Sequence, residues 1–181
     1  MWKEGFGLIS TRTAAQGYLY AAWLLLILLP FQFYFAALGA MSNKGYTLHQ
    51  YLGLGIHGVS ALLILIALVG RLPRPTLAWG LLQFILISIQ LGLARLQFPK
   101  NFLAVEPQFV RDLSSGIMQP IHDAMGNGAG IIASLHGINA LAVVAVAVLT
   151  VRYARRLSKE SVWAGATPPV GSREAVASGR K

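Results

Sequence analysis

Residues 48–70 read LHQYLGLGIHGVSALLILIALVG, 23 positions without an Asp, Glu, Lys or Arg. Wound as an α-helix at 1.5 Å per residue, the stretch reaches roughly 35 Å, enough to cross a hydrocarbon core of about 30 Å. Three more stretches, Tyr18 to Ala40, Leu77 to Ala94 and Ile131 to Val151, are also free of charge. With 55% hydrophobic and 12% charged residues in 181, water is not the main solvent of this chain. The expectation is an all-α integral membrane protein, a four-helix transmembrane bundle with helices at about 18–40, 48–70, 77–94 and 131–151.

The first span, preceded by Lys3 and Arg12, is longer than the 7–15 residue apolar core of a secretory signal and is read as a retained helix. Residues 1–17 then form an interfacial segment, with Trp2 and Phe6 suited to the headgroup region. The bundle occupies 18–157, with a long outer loop over 95–130 and a mobile cytoplasmic tail over 158–181. The loop carries Phe98, Phe102, Phe109, Ile117, Met118 and Ile121, which predicts that it folds down over the outer end of the bundle. Orientation follows from the cations. Both termini and the Arg71 to Pro75 turn hold eleven Lys and Arg, the opposite side four, namely Lys44, Arg95, Lys100 and Arg111. The positive-inside rule puts both termini in the cytoplasm of a bacterial-type inner or plasma membrane. The basic run Arg152 to Lys159 suits anionic lipid headgroups, so the bilayer is an expected partner and nucleic acid is not.

There is no cysteine, which excludes disulfides, thiolate metal sites and covalent haem attachment, and leaves histidine as the strongest metal ligand. Helix two contains His57-Gly58-Val59-Ser60-Ala61-Leu62 and helix four contains His136-Gly137-Ile138-Asn139-Ala140-Leu141. Gln32-Phe33-Tyr34-Phe35-Ala36-Ala37-Leu38 and Gln90-Leu91-Gly92-Leu93-Ala94-Arg95-Leu96 share Gln, Ala and Leu in register. The bundle therefore reads as a tandem repeat of a helix hairpin, its halves related by a pseudo-two-fold axis along the membrane normal. His57 lies 14 residues before Arg71 and His136 lies 16 before Arg152, so the two fall at similar depth in the outer half of the membrane.

Two imidazoles facing each other at one depth can ligate a single haem iron from both sides. On this reading His57 and His136 are metal ligands of one bis-histidine haem b. Small residues near them, Gly53, Ala61, Ala133, Ala140, Gly58 and Gly137, leave room for the macrocycle. Gln32, Gln90, Ser60 or Asn139 can bond the second ring nitrogens. Arg95 is the candidate for the propionates, with Lys100 and Lys44 behind it. Each residue also has a plainer reading. An intramembrane histidine can be an interhelical donor, Gly58 and Gly137 can be packing glycines, Gln32 and Gln90 can join helices, and Arg95 can meet headgroups. His49 and His122 read as interfacial histidines, with quinone contact, proton acceptance or metal ligation as alternatives. His49 rivals His57 as the helix-two ligand but would lie about 12 Å higher; the repeat favours His57.

The Gln-x-x-x-Ala pair and the His-Gly-[Val/Ile]-[Ser/Asn]-Ala-Leu pair, over residues 18 to 152, resemble one four-helix half of haem A synthase and, more loosely, four-helix membrane b-type cytochromes. The resemblance implies histidines on the second and fourth helices embracing a haem near the outer face. It departs at His57, followed by Gly58 where haem A synthase typically has Arg, and in a second helix without the glutamate its oxidation chemistry needs. Haem hydroxylation is therefore not implied. The expected function is that of a monohaem cytochrome moving electrons near the outer face, with quinol and other subunits of a redox complex as candidate partners. Whether it is itself an enzyme is left open. The alternatives are a haem-handling or haem-modifying membrane protein and a non-haem structural or pigment-binding subunit.

Overall fold

In a computed structural model the protein is described over residues 10–41, 46–97 and 128–164, with helical positions 112, 116, 120 and 123 in the long loop. Four long helices follow in order: α1 (Thr11–Met41), α2 (Thr47–Val69), α3 (Arg74–Gln97) and α4 (Ala129–Ala164). All four are long and apolar enough to cross a membrane. Each packs chiefly on two neighbours, so the bundle is a square in the order α1, α2, α3, α4. The fold is the all-α integral membrane bundle that composition and hydropathy imply.

Helix ends depart from the hydropathy boundaries because capping and packing extend a helix past its apolar run. Ser10 Oγ accepts from Thr13 N at 3.1 Å, an N-cap that starts α1 at Thr11, seven residues before Tyr18. Ala14 and Ala15 in that first turn are buried, so this part of the expected interfacial segment belongs to the bundle. At the other end α4 runs on to Ala164, past the expected start of a tail at 158. Between α2 and α3 the chain turns within four residues. Gly70 N bonds Ile66 O, Leu72 N bonds Ala67 O, and Arg71 takes a positive φ of 49°, a left-handed ending of a helix. Gly70 is needed there for another reason: a Cβ on it would collide with Ala14 Cβ, so the start of α1 and the end of α2 touch backbone to side chain.

The buried faces reveal the repeat. Counting back from Gln32, buried residues fall 18, 14, 10, 7 and 3 positions earlier at Ala14, Tyr18, Ala22, Leu25 and Leu29; counting back from Gln90, the same offsets give Leu72, Thr76, Gly80, Gln83 and Ile87, also buried. Thus α1 and α3 match in the register set by the glutamines. For α2 and α4 the register is a different one. At 7, 11, 14 and 18 positions after His49 lie Ile56, Ser60, Leu63 and Ala67; at the same offsets after His136 lie Val143, Ala147, Thr150 and Ala154, and all eight are buried. Taken from His57 instead, buried Ser60, Leu63 and Ala67 would pair with half-buried Asn139, Ala142 and Val146. The hairpin is duplicated, but His136 is the counterpart of His49 and not of His57.

Candidate functional site

At the end of the bundle opposite the Gly70 turn, all four helices enclose a half-open cavity of about 600 Å³, counting its mouth. Gln32 of α1, His49, Gly53 and Ile56 of α2, Ile87, Gln90 and Ala94 of α3, and His136, Ala140 and Val143 of α4 are among its lining residues. The matched register explains why. Gln32 with Gln90, His49 with His136, Gly53 with Ala140, and Ile56 with Val143 are four pairs of equivalent positions brought together around one axis.

His49 and His136 come from diagonally opposed helices, and their ring centroids lie 6.4 Å apart with the planes inclined at 54°. Each is fastened through its own hairpin. Gln32 Nε2 donates to His49 O at 3.0 Å, and Gln90 Nε2 donates to His136 O at 3.0 Å. The two halves differ around the rings. His49 Nδ1 donates to Gln32 O at 3.0 Å, which leaves Nε2 with the lone pair, 3.4 Å from Gln32 Nε2. His136 Nδ1 is buried without a partner. Asn139 Nδ2 instead reaches Leu86 O at 2.9 Å and Gln90 Oε1 at 2.6 Å, whereas Gln32 Oε1 is buried and unpartnered.

His57 is not at this site. Its Nε2 lies 3.1 Å from Ser88 Oγ, and its ring stacks on Phe84 with centroids 4.5 Å apart. Ser88 spends its own proton on Phe84 O at 2.8 Å, so His57 is the donor. It sits at the seam between α2 and α3, about two helical turns inward of His49. The expected pairing of His57 with His136 is therefore corrected to His49 with His136. The sequence contained that pairing: Leu48-His49 and Leu135-His136 are followed at matching distance by Gly53-Leu54-Gly55-Ile56 and Ala140-Leu141-Ala142-Val143. The more obvious His-Gly repeat lies on the outside. Gly58, Ala61, Leu62, Gly137 and Leu141 are exposed on the lipid-facing surface, where small and apolar residues recur for want of constraint.

Gly58 and Gly137 accordingly do not border the cavity, because a residue next to an inward histidine points about 100° away around the helix. Gly53, Ala94 and Ala140 supply the small lining instead. Ala61 and Ala133 are exposed, and Ser60 Oγ donates to His57 O at 2.7 Å. Gln32 and Gln90 do line the cavity, as expected, and bridge helices at the same time. Arg95 follows Ala94 in the last turn of α3, half-buried and outside the cavity lining. Lys44, Lys100, Arg111 and His122 lie outside the described residues.

Two imidazoles can hold a metal between them. With metal–nitrogen bonds of about 2 Å, trans rings have centroids roughly 6 Å apart, close to the spacing here. Among the described residues no group of three or more His, Cys, Asp or Glu comes together. A bare metal ion draws three or four protein donors, whereas a haem brings four equatorial nitrogens and needs only two from the protein. Two imidazoles are fewer donors than a bare ion draws and the number a haem takes from the protein.

A sequence profile of a family of unknown function, DUF6220, matches residues 32–96. The match begins at Gln32 and takes in His49, all of α2 and α3 up to Leu96, which is the first hairpin's half of the cavity together with Gln90. Comparison with curated proteins and with solved structures gives no match.

Proposed function

We propose that the protein is a monohaem b-type cytochrome in which His49 and His136, rather than His57 and His136, hold the haem from opposite sides. The observation that carries this is the pair of imidazoles 6.4 Å apart across an apolar cavity at the outer end of a membrane bundle. Gly53, Ala94 and Ala140 leave space for a flat macrocycle beside the histidines. Gln32 and Gln90 fix the backbone of each ligand, and the Nδ1 bond from His49 to Gln32 O holds one ring in the tautomer that keeps the Nε2 lone pair, which accepts from Gln32 Nε2 at 3.4 Å and would exchange that amide for the iron. Arg95, one residue beyond the lining, is the cation for the propionates.

A bound haem with two histidine ligands supplies one-electron transfer, and the absence of a free coordination position disfavours oxygen chemistry. The protein's own contribution is to keep the site dry on the lipid side and open toward the outer face. With eleven cations on the side of the termini against four opposite, both termini lie in the cytoplasm and the cavity opens to the periplasmic side. Quinol in the outer leaflet, or a neighbouring redox subunit, is then the partner within reach. Reduced minus oxidised spectra and pyridine haemochrome of the purified protein test this. One haem b per chain with a sharp reduced α-band supports it, and a colourless protein that takes up no added haemin refutes it.

A further inference from the structure

The cavity uses His49 and His136 and leaves a third intramembrane histidine unexplained. His57 is the eleventh of the 23 residues of α2, so its ring sits near the middle of the span, where neither water nor a lipid headgroup reaches. Its Nε2 proton goes to Ser88 Oγ and its ring lies on Phe84, which leaves the lone pair on Nδ1. Among the described residues nothing donates to that nitrogen, and it is not one of the bundle's enclosed orphan atoms, so it opens on lipid. An unbonded acceptor in hydrocarbon is costly, and an ionisable side chain at this depth marks a site.

The duplication supplies a control. In the register that matches Gln32 with Gln90 and His49 with His136, the seam between α4 and α1 carries Val144 for His57, Pro30 for Ser88, Leu26 for Phe84 and Tyr34 for Gly92. That seam closes without the polar pair, so joining two helices does not require His57 and Ser88. Gly92, one turn from Ser88 toward the cavity end of α3, has open space where a Cβ would stand, at the position the other seam gives to a tyrosine. The α2–α3 seam is thus polar at its centre and open beside it.

We infer that this seam, at His57, Ser88 and Phe84, is a binding site for a lipid-soluble quinol, whose ring hydroxyl donates to His57 Nδ1. The occupant has to arrive through lipid, carry an O–H donor, and lack a headgroup that would hold it at the surface. An uncharged aromatic diol meets all three conditions, and Gly92 keeps the lipid side of the seam open to a flat ring. Ser88 is a positioning residue: by accepting from Nε2 it keeps the lone pair on Nδ1. The site lies apart from the cavity and does not rest on the haem reading.

The test is anaerobic titration calorimetry of the full-length protein in lipid nanodiscs with duroquinol, against empty nanodiscs. The protein is first reduced with dithionite, so that the heat reports binding alone. Duroquinol dimethyl ether, the same ring without an O–H, is the control ligand. Wild type is expected to bind duroquinol about tenfold more tightly than the ether, the worth of one hydrogen bond. His57→Phe keeps an aromatic ring against Phe84 without the acceptor and is expected to lose that preference. Ser88→Ala frees the ring proton to move to Nδ1 and is expected to weaken duroquinol but not the ether. Gly92→Tyr, which copies Tyr34, is expected to exclude both. Circular dichroism checks that each variant is folded, and the comparison of the two ligands on wild type needs no variant. Equal binding of duroquinol and its ether, or an undiminished preference in His57→Phe, overturns the inference. So does a wild type that binds neither; if Gly92→Tyr then splits a dimer, the seam belongs to a second copy of the chain. The haem reading stands or falls separately, on its own spectrum.

Discussion

The first hairpin and the second present the same cavity wall from opposite sides, and the useful information lies where they disagree. In the first, Gln32 bonds the His49 backbone and the His49 ring bonds back to Gln32 O, leaving the Gln32 side-chain oxygen Oε1 idle. In the second, Gln90 bonds the His136 backbone and receives Asn139, leaving the His136 ring idle. The first half fixes its imidazole and the second fixes its helices. At the opposite end of the bundle the contrast runs the other way in size. Gly70 lets α2 touch Ala14, while the equivalent positions in the second half hold Leu157 and Leu72.

That contrast can be broken by giving one half the residue of the other. Gly70→Leu should have the largest effect on folding, because the new side chain begins inside the space of Ala14; an overpacked contact of this kind costs about 1–3 kcal/mol, and the melting midpoint in detergent should fall accordingly. Gln90→Leu should come next. It removes a 3.0 Å bond to His136 O and a 2.6 Å bond from Asn139, and with interhelical bonds in membranes worth about 0.6–1.7 kcal/mol each, it should lower stability more than Gln32→Leu, which removes a 3.0 Å bond to His49 O and only a long 3.4 Å one to His49 Nε2. Equal melting of the two glutamine variants would contradict the asymmetry. Tyr18→Phe deletes the buried bond from Tyr18 Oη to Thr76 O at 2.9 Å, which joins equivalent positions of α1 and α3, and should cost about 0.5–1.5 kcal/mol. Gly53→Ala copies Ala140 and should be the mildest change. Its Cβ would meet Gln32 Nε2 at 3.1 Å, a contact that a small shift of the amide relieves, so stability should change by less than about 1 kcal/mol. Melting of these variants alongside wild type orders the series.

The membrane bundle was legible in the sequence because four uncharged stretches of spanning length allow little else in lipid. The register of α1 against α3 was legible too, since Gln32 and Gln90 are rare polar residues in apolar helices and mark equivalent places. The register of α2 against α4 was misread for two physical reasons. Sequence identity is blind to facing, so His57-Gly58 and His136-Gly137 looked equivalent although the glycines and the leucines around them meet lipid. Depth was measured from Arg71 and Arg152 as though both marked the membrane edge. Arg152 lies 16 residues after His136, level with Leu65, which lies 16 after His49 and well within α2. An arginine can sit below the apolar boundary with its long stem along the helix and its charge at the surface, so cations at the inner end of α4 do not locate the interface. The bonds that distinguish His49 from His136 depend on side-chain placement across helices, which residue identity alone does not carry.

The account stands most directly on which histidine of α2 faces His136. The reduced minus oxidised spectrum of purified His49→Ala and His57→Ala, each with helix content checked by circular dichroism, addresses it in one comparison. His57→Ala should retain the wild-type haem content and α-band, since its ring donates to Ser88 and stacks on Phe84 outside the cavity, and His49→Ala should lose both. Loss of the band in His57→Ala with its retention in His49→Ala would contradict the pairing and the site built on it.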